Sequence, residues 1–208
     1  MADRLKARLE QGCAMLDLNL SDAQLQQLLA YLSLLAKWNK VYNLTAVRDI
    51  DNMLDRHLID SLAVIPALDG SSLLDVGTGG GLPGIPAAIC WPEMAVTLLD
   101  SNAKKTRFLQ QVKAELPLNN VTVIHGRVEQ VDLPQFEIVT ARAFASITDI
   151  IDLAGRHCDD AGRLILMKGV YPAAELAVPT PGFSVKAVTA INVPFTDGQR
   201  HLVTLTKD

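Results

Sequence analysis

Asp75-Val76-Gly77-Thr78-Gly79-Gly80-Gly81-Leu82-Pro83-Gly84 is the stretch whose reading decides the fold. Leu73-Leu74 precedes it and Ile85 to Cys90 follows it. It therefore reads as a loop between a buried strand and a helix, with Pro83 tolerated in the first helical turn. Glycines in such a loop admit positive φ and let a ligand approach the backbone. The helix start adds unpaired N–H groups. Two ligand classes fit the pattern. Gly79-x-Gly81-x-x-Gly84 matches the dinucleotide fingerprint, with Asp100 at the expected distance of about 20 residues for an acid that meets a ribose. Asp75-x-Gly77-x-Gly79-x-Gly81 matches the acid-x-Gly-x-Gly-x-Gly pattern of an S-adenosylmethionine site. In that second reading Asp75 meets the cationic amino group of the methionine moiety. Asp100 accepts from both ribose hydroxyls, since a carboxylate offers two acceptor oxygens.

Working outward, Val96–Asp100, Val121–Ile124, Phe136–Thr140 and Arg163–Met167 read as further strands. Ala103–Leu116 and Ser146–Gly155 read as helices between them, and Phe183–Val193 and His201–Thr206 as an antiparallel pair. This alternation gives an α/β class protein, a parallel sheet with helices on both faces, doubly wound by right-handed crossovers. Such sheets bind ligands beyond the carboxyl ends of their strands. The site is thus expected at Gly77–Gly84, Asp100, His125–Glu129 and Ala141–Ser146. Everything after the loop completes one sheet and leaves no second domain for a hydride acceptor. The antiparallel last pair also suits a methyltransferase better. The methyl-donor reading is preferred over a nucleotide (NAD)-dependent oxidoreductase; a non-catalytic RNA-binding module is the third reading.

Upstream of Gly70 the pattern is helical. Ser21 and Gln24 form a capping box, and Leu25, Leu28, Leu29, Leu32, Leu35 and Trp38 recur at helical spacing. Val41 to Val47 reads as a connector. Asp49 or Asp51 then caps a second helix with Met53, Leu54, Leu58, Leu62 and Val64 as its apolar set, ended by Pro66 and Gly70. The expected organisation is an N-terminal helical extension, residues 1–69, packed on a core of residues 70–208 as one compact unit.

Composition narrows the class. Of 208 residues, 49% are hydrophobic and 20% charged, which excludes disordered, collagen-like and coiled-coil chains. No apolar run approaches the ~20 residues of a membrane span, and the charged start lacks a signal-peptide core. Cys13, Cys90 and Cys158 are odd in number and far apart, so neither a disulfide framework nor a thiolate zinc site is expected. The histidines show no ligand spacing, so no metal is expected either. These features fit a cytoplasmic protein. A net charge of −4 argues against a general nucleic-acid binder but leaves room for a local basic face.

Longer blocks then become recognisable. They are Trp38-Asn-Lys-Val-Tyr-Asn-Leu-Thr45, Arg56-His57-x-x-Asp60-Ser61, the loop Asp75 to Pro86, Leu99-Asp100-Ser101, Lys104-Lys-x-Arg-Phe-Leu109, Arg127-Val-Glu129, Arg142-Ala-Phe-Ala-Ser146, Lys168-Gly169 and Arg200-His201. In that order and over nearly the full length, the chain resembles the RsmG (GidB, glucose-inhibited division protein B) family of bacterial ribosomal RNA methyltransferases. It departs at Gly80, where a proline is expected, a change of loop stiffness. The resemblance implies a Rossmann-like class I methyltransferase fold with an N-terminal helical extension. It implies methylation of guanine N7 in the 530 loop of 16S ribosomal RNA, with the 30S subunit as partner; a monomer is expected. By similarity Gly77, Leu82, Val128, Glu129 and Arg142 line the S-adenosylmethionine site. The residue reading adds Asp75, Gly79, Gly81 and Asp100.

Other residues carry a plain reading beside the functional one. Arg142, Asn39, His57 and Asp60 are candidates for positioning the substrate, whereas Arg56 and Asp60 at i,i+4 are ordinarily a helix-surface ion pair. Lys104, Lys105 and Arg107 form a basic stretch that is a solvated helix face or, with Lys168 and Arg200, a set of RNA-phosphate contacts. Phe144 and Tyr42 are candidates for base stacking. No nucleophile or base dyad stands out. Guanine N7 needs none, because it carries a free lone pair and no proton. Alignment is then the main task. Acceptors or neutral donors are expected at the purine, since positive charge moves onto it.

Overall fold

A computed structural model describes residues 2–142 and 145–208 of the chain. The strands are β1 (Ser72–Val76), β2 (Ala95–Asp100), β3 (Val121–His125), β4 (Phe136–Arg142), β5 (Cys158–Lys168), β6 (Phe183–Ile191) and β7 (Arg200–Lys207). They form one seven-stranded sheet of order β3-β2-β1-β4-β5-β7-β6. β1 to β5 pair in parallel, and β7 runs antiparallel between β5 and β6. Leu73, Leu74, Asp75 and Val76 are all buried, as a strand covered on both faces requires. From β1 the chain winds outward one way to β3, then returns to wind the other way from β4. The crevice at this switch lies above the carboxyl ends of β1 and β4.

α5 (Gly84–Cys90), α6 (Ala103–Glu115) and α7 (Ile147–Ala154) are the crossover helices. Ser146 opens α7 with a capping box to Asp149, a signal the sequence reading passed over. α1 (Ala2–Met15) and α2 (Asp22–Tyr42) form most of the helical extension. Ser21 and Gln24 make the expected capping box of α2, and Asn43 ends it in the left-handed conformation at φ 51°. The second expected helix is not uniform. It comprises α3 (Ile50–Met53), a π-helical turn Leu54–Ile59 and α4 (Asp60–Leu62). Asp49 is its cap, accepting from Asn52 N, while Asp51 pairs with Arg4 at 2.7 Å. The π turn has no local sequence signature; burial of Leu54, Leu58 and Ile59 holds it. β5 begins at Cys158 rather than Arg163, because Asp159 to Gly162 lack strand propensity and join through a bulge opposite Phe136. α8 (Ala173–Leu176), four residues long, escapes the periodicity altogether.

One apolar cluster runs from Leu5 and Leu9 of α1, through Leu28, Leu32 and Leu35 of α2, to Leu98, Phe108 and Leu109 beside the sheet. Each such buried side chain contributes about 1.5–3 kcal/mol relative to exposure. The opposite face is covered by α7, whose Ile147, Ile150 and Ile151 pack with Leu74, Val139 and Leu164. The extension also touches the glycine loop directly. The fully buried Tyr31 of α2 donates its hydroxyl to Gly80 O at 2.7 Å. Helices read from the first third of the chain thereby brace the loop that opens the site.

Candidate active site

The glycine loop is held by two carboxylates. Asp75 Oδ2, at the end of β1, accepts from Thr78 Oγ1 at 2.6 Å and from Gly84 N at 2.9 Å. Its Oδ1 has no partner among the described residues. Burial pushes this carboxyl up to about 6; the bonds from Thr78 and Gly84 and the charge of Arg142 oppose that shift. The sequence reading brought Asp75 to the ligand's amino group. The structure puts it beneath the loop, off the walls of both cavities described below. Gly77, Gly79 and Gly81 adopt φ of 66°, 63° and 93°, which explains their identity. A Cβ on Gly84 would come 2.8 Å from Asp75 Oδ2, so no other residue lets the helix start so close to β1.

Asp100 ends β2 and is the second carboxylate. Its Oδ2 accepts from Gly79 N at 2.9 Å and its Oδ1 from Asn102 N at 2.8 Å. Each oxygen keeps a lone pair for a hydroxyl. Asp100 lines a cavity of about 570 Å³ together with Gly77, Gly126, Val128 and Glu129. Val128 is fixed there because its carbonyl accepts from Arg156 Nη2 at 3.0 Å.

A second cavity, of about 550 Å³, opens on the other side of the loop. Gly77, Gly79 and Leu82 form its floor, Thr45, His57 and Asp60 one wall, and Arg142, Lys168 and Arg200 the other. Gly77 and Lys105 line both cavities, so the two adjoin. Lys105 Nζ lies 3.7 Å from Asp100 Oδ2.

Asp60 organises the wall. It is only 3% exposed, and it pairs with Arg200 Nε through Oδ1 at 2.6 Å and with Arg142 Nη1 through Oδ2 at 3.3 Å. The helix-surface pair with Arg56 is not formed; Arg56 is exposed at the cavity mouth. His57 Nδ1 faces Arg56 O at 3.0 Å, and a carbonyl only accepts, so Nδ1 carries the proton. His57 Nε2 then accepts from Thr45 Oγ1 at 2.6 Å, and Thr45 Oγ1 in turn accepts from Val47 N. Burial first and Arg142 second hold this imidazole below its usual value, in the neutral form. Asn39 lies behind the wall. Its Oδ1 accepts from Thr45 N and its Nδ2 donates to Val47 O, both at 2.8 Å, so it positions the connector that holds His57.

The basic residues divide in two. Lys104 and Arg107 are exposed on α6, and of that stretch only Lys105 reaches the adjoining cavities. Lys168 is already committed. Its Nζ donates to Ala145 O at 2.9 Å and pairs with Glu175 Oε2 at 2.7 Å, while Glu175 also accepts from Ile147 N. Lys168 therefore ties the segment after β4 to α8 rather than offering a free charge to phosphate. Gly81 lies off both cavities and packs against Ile85 and Leu109. Tyr42 is exposed and stacks on Trp38 at 5.1 Å. Phe144 lies outside the described residues. The sequence reading gave no role to Thr45, Tyr31 or Glu175. Thr45 stands in a block quoted for the resemblance, but its pairing with His57 exists only once the π turn is folded.

The acceptors suit S-adenosylmethionine. Asp100 lines one cavity with acceptor capacity left on both oxygens, and Gly77 and Gly79 of the glycine loop line the second. Among the described residues a Cβ on Gly79 would meet nothing closer than 3.9 Å, which leaves room for a ligand against the loop. The GidB family model, described as rRNA small subunit methyltransferase G, matches residues 24–203. Ribosomal RNA small subunit methyltransferase G of Pseudomonas syringae pv. tomato is 52% identical over 200 residues, covering 95% of this chain and 94% of that one. Its counterpart in Neisseria meningitidis serogroup C / serotype 2a is 48% identical over 203 residues, covering 97% and 98%. A SAM dependent methyltransferase from Aquifex aeolicus has the same fold, with a TM-score of 0.57 at 15% identity over 82% of this chain and 97% of that one. The sheet and its strand order are those of a class I S-adenosylmethionine-dependent methyltransferase, and by its sequence the chain belongs to the GidB family, rRNA small subunit methyltransferase G.

Proposed function

We propose that this protein transfers a methyl group from S-adenosylmethionine to N7 of a guanine in the 530 loop of 16S ribosomal RNA, in the 30S subunit, as a cytoplasmic monomer. The observation that carries the reading is the pair of cavities that adjoin at Gly77 and Lys105. Asp100 and Val128 hold the adenosyl end, and the guanine enters between His57 and Arg142. The donor supplies a methyl group on a positively charged sulfur. The chain's own part is alignment, which in favourable cases removes about 7–11 kcal/mol of barrier. No general base is needed, and His57 is not one, since its free nitrogen is occupied by Thr45. Positive charge grows on the purine during transfer. Asp60 offsets the two arginines, and the neutral imidazole adds no charge of its own. Residues 1–69 and 70–208 work as one unit in this reading, because Tyr31 of the extension holds the loop at Gly80. An acidic chain of net charge −4 has little non-specific attraction for RNA, which favours an assembled particle over protein-free RNA. Neither a nicotinamide-dependent oxidoreductase nor a non-catalytic module finds support in the family.

The test is transfer of labelled methyl from S-adenosylmethionine to 30S particles and to 16S RNA lacking the modification, followed by cleavage mapping at N7-methylguanine. Label at one guanine of the 530 loop is expected, with the particle preferred. Label elsewhere, or on neither substrate despite cofactor binding, would overturn the assignment.

A further inference from the structure

The segment between β5 and α8 carries an exposed apolar tip that the site described so far does not use. Val170 is 73% exposed and Tyr171 54% exposed. They follow directly on Lys168 and Gly169, which line the second cavity. The chain thus carries an aromatic ring two residues beyond Gly169, a residue that lines the cavity. The ring is not loose. His201 stands edge-on to it, with centroids 5.6 Å apart at 83°. His201 is itself fixed, because its Nδ1 meets Gly169 O at 2.9 Å and so carries the proton toward that carbonyl. This contact holds Tyr171 while more than half of the residue faces solvent. Among the described residues, a Cβ added at Gly169 would meet no atom within 4 Å.

Guanine N7 is hidden in the deep major groove of an RNA helix, so the target must come from a loop or leave its stack. Turning it out uncovers the face of the neighbouring base, which then needs a partner. We infer that Tyr171, braced by His201, stacks on the nucleotide next to the methylated guanine and holds the opened loop at the mouth of the cavity. This inference rests on the methyltransferase reading above. A nucleobase is the occupant favoured over a protein side chain for two reasons. The tip follows on residues lining a cavity whose mouth also carries the exposed Arg56, a setting that suits a polyanion. A planar ring held by a neighbouring imidazole and more than half exposed matches the shape of a base.

The experiment compares wild type, Tyr171→Ala and Tyr171→Phe on 30S particles lacking the modification, with S-adenosylmethionine affinity measured alongside. Loss of a stacked base corresponds to roughly 5- to 150-fold. Tyr171→Ala should therefore lose that much in kcat/KM while cofactor affinity stays within about twofold. Tyr171→Phe should stay within about threefold of wild type, because the ring and not the hydroxyl stacks. A p-azidophenylalanine at position 171 should cross-link to a nucleotide adjacent to the target. Wild-type activity in Tyr171→Ala, an equal loss in Tyr171→Phe, or a cross-link to a ribosomal protein would each overturn the inference. Failure of the wild type to methylate the particle would overturn the functional reading itself, and that result is seen without any variant.

Discussion

Arg200 Nε lies 2.6 Å from Asp60 Oδ1, although 140 positions separate the two residues along the chain. The contact joins the helical extension to the last strand of the sheet. Because Asp60 also holds Arg142, one buried carboxylate places two guanidinium groups on one wall of the second cavity. Removing one partner of a buried charged set leaves the others uncompensated. Asp60→Asn should therefore lower stability by about 1–3 kcal/mol. It should also lower kcat, as Arg142 loses its orientation and its charge stands unopposed near the purine. Chemical denaturation and methyl-transfer kinetics on the same preparation check both effects.

Asp75 gives a prediction about pH. Its carboxyl is raised from 3.8 to about 6 in the folded protein. Between these values the folded state holds a proton that the unfolded chain has released. Stability from this group is thus fully present below about pH 4 and is lost as pH rises through about 6. Asp75→Asn cannot titrate. Its stability relative to wild type should improve by about 2 kcal/mol between pH 4 and pH 7, whatever its constant offset. Urea unfolding of both proteins at several pH values measures this, and parallel curves would show that Asp75 is not protonated in the folded state.

At the other carboxylate the effect should fall on the cofactor. Asp100→Asn keeps the shape but gives up charge and turns an NH2 group toward Gly79 N or Asn102 N. Hydrogen bonds to a charged acceptor are worth about 1.5–3 kcal/mol, so S-adenosylmethionine should bind roughly 10- to 150-fold more weakly. Calorimetric titration measures the loss directly. Unchanged affinity would move the ribose away from Asp100.

The basic residues should separate by whether their charge is already matched. Replacing Lys104, Lys105 and Arg107 by Gln should flatten the dependence of RNA affinity on log salt by about 0.7 for each side chain that touches a phosphate. Lys168→Met should leave that slope unchanged and cost about 1 kcal/mol of stability instead, since it breaks the tie from β5 to Ala145 and Glu175. Filter binding across a salt series, with thermal unfolding beside it, tells the two classes apart.

Strand–loop–helix order, the glycine pattern and Asp100 were legible in the chain because each depends on neighbours within a few residues or on a regular period. A glycine that must adopt positive φ declares itself locally, and so does the Ser21–Gln24 cap. The antiparallel ending was legible too, from two strands with no helix between them. Tertiary structure alone decided what the polar side chains do. The i,i+4 spacing offered Asp60 to Arg56, but burial of the π turn aims it at Arg142 and Arg200. Lys168 looks free in sequence and is bound in space. Asp75 looks like a ligand contact and lies beneath the loop. The physical reason is the same throughout. Backbone periodicity is encoded by adjacent residues, whereas the partner of a charge is whichever group the packing of distant elements brings within about 3 Å.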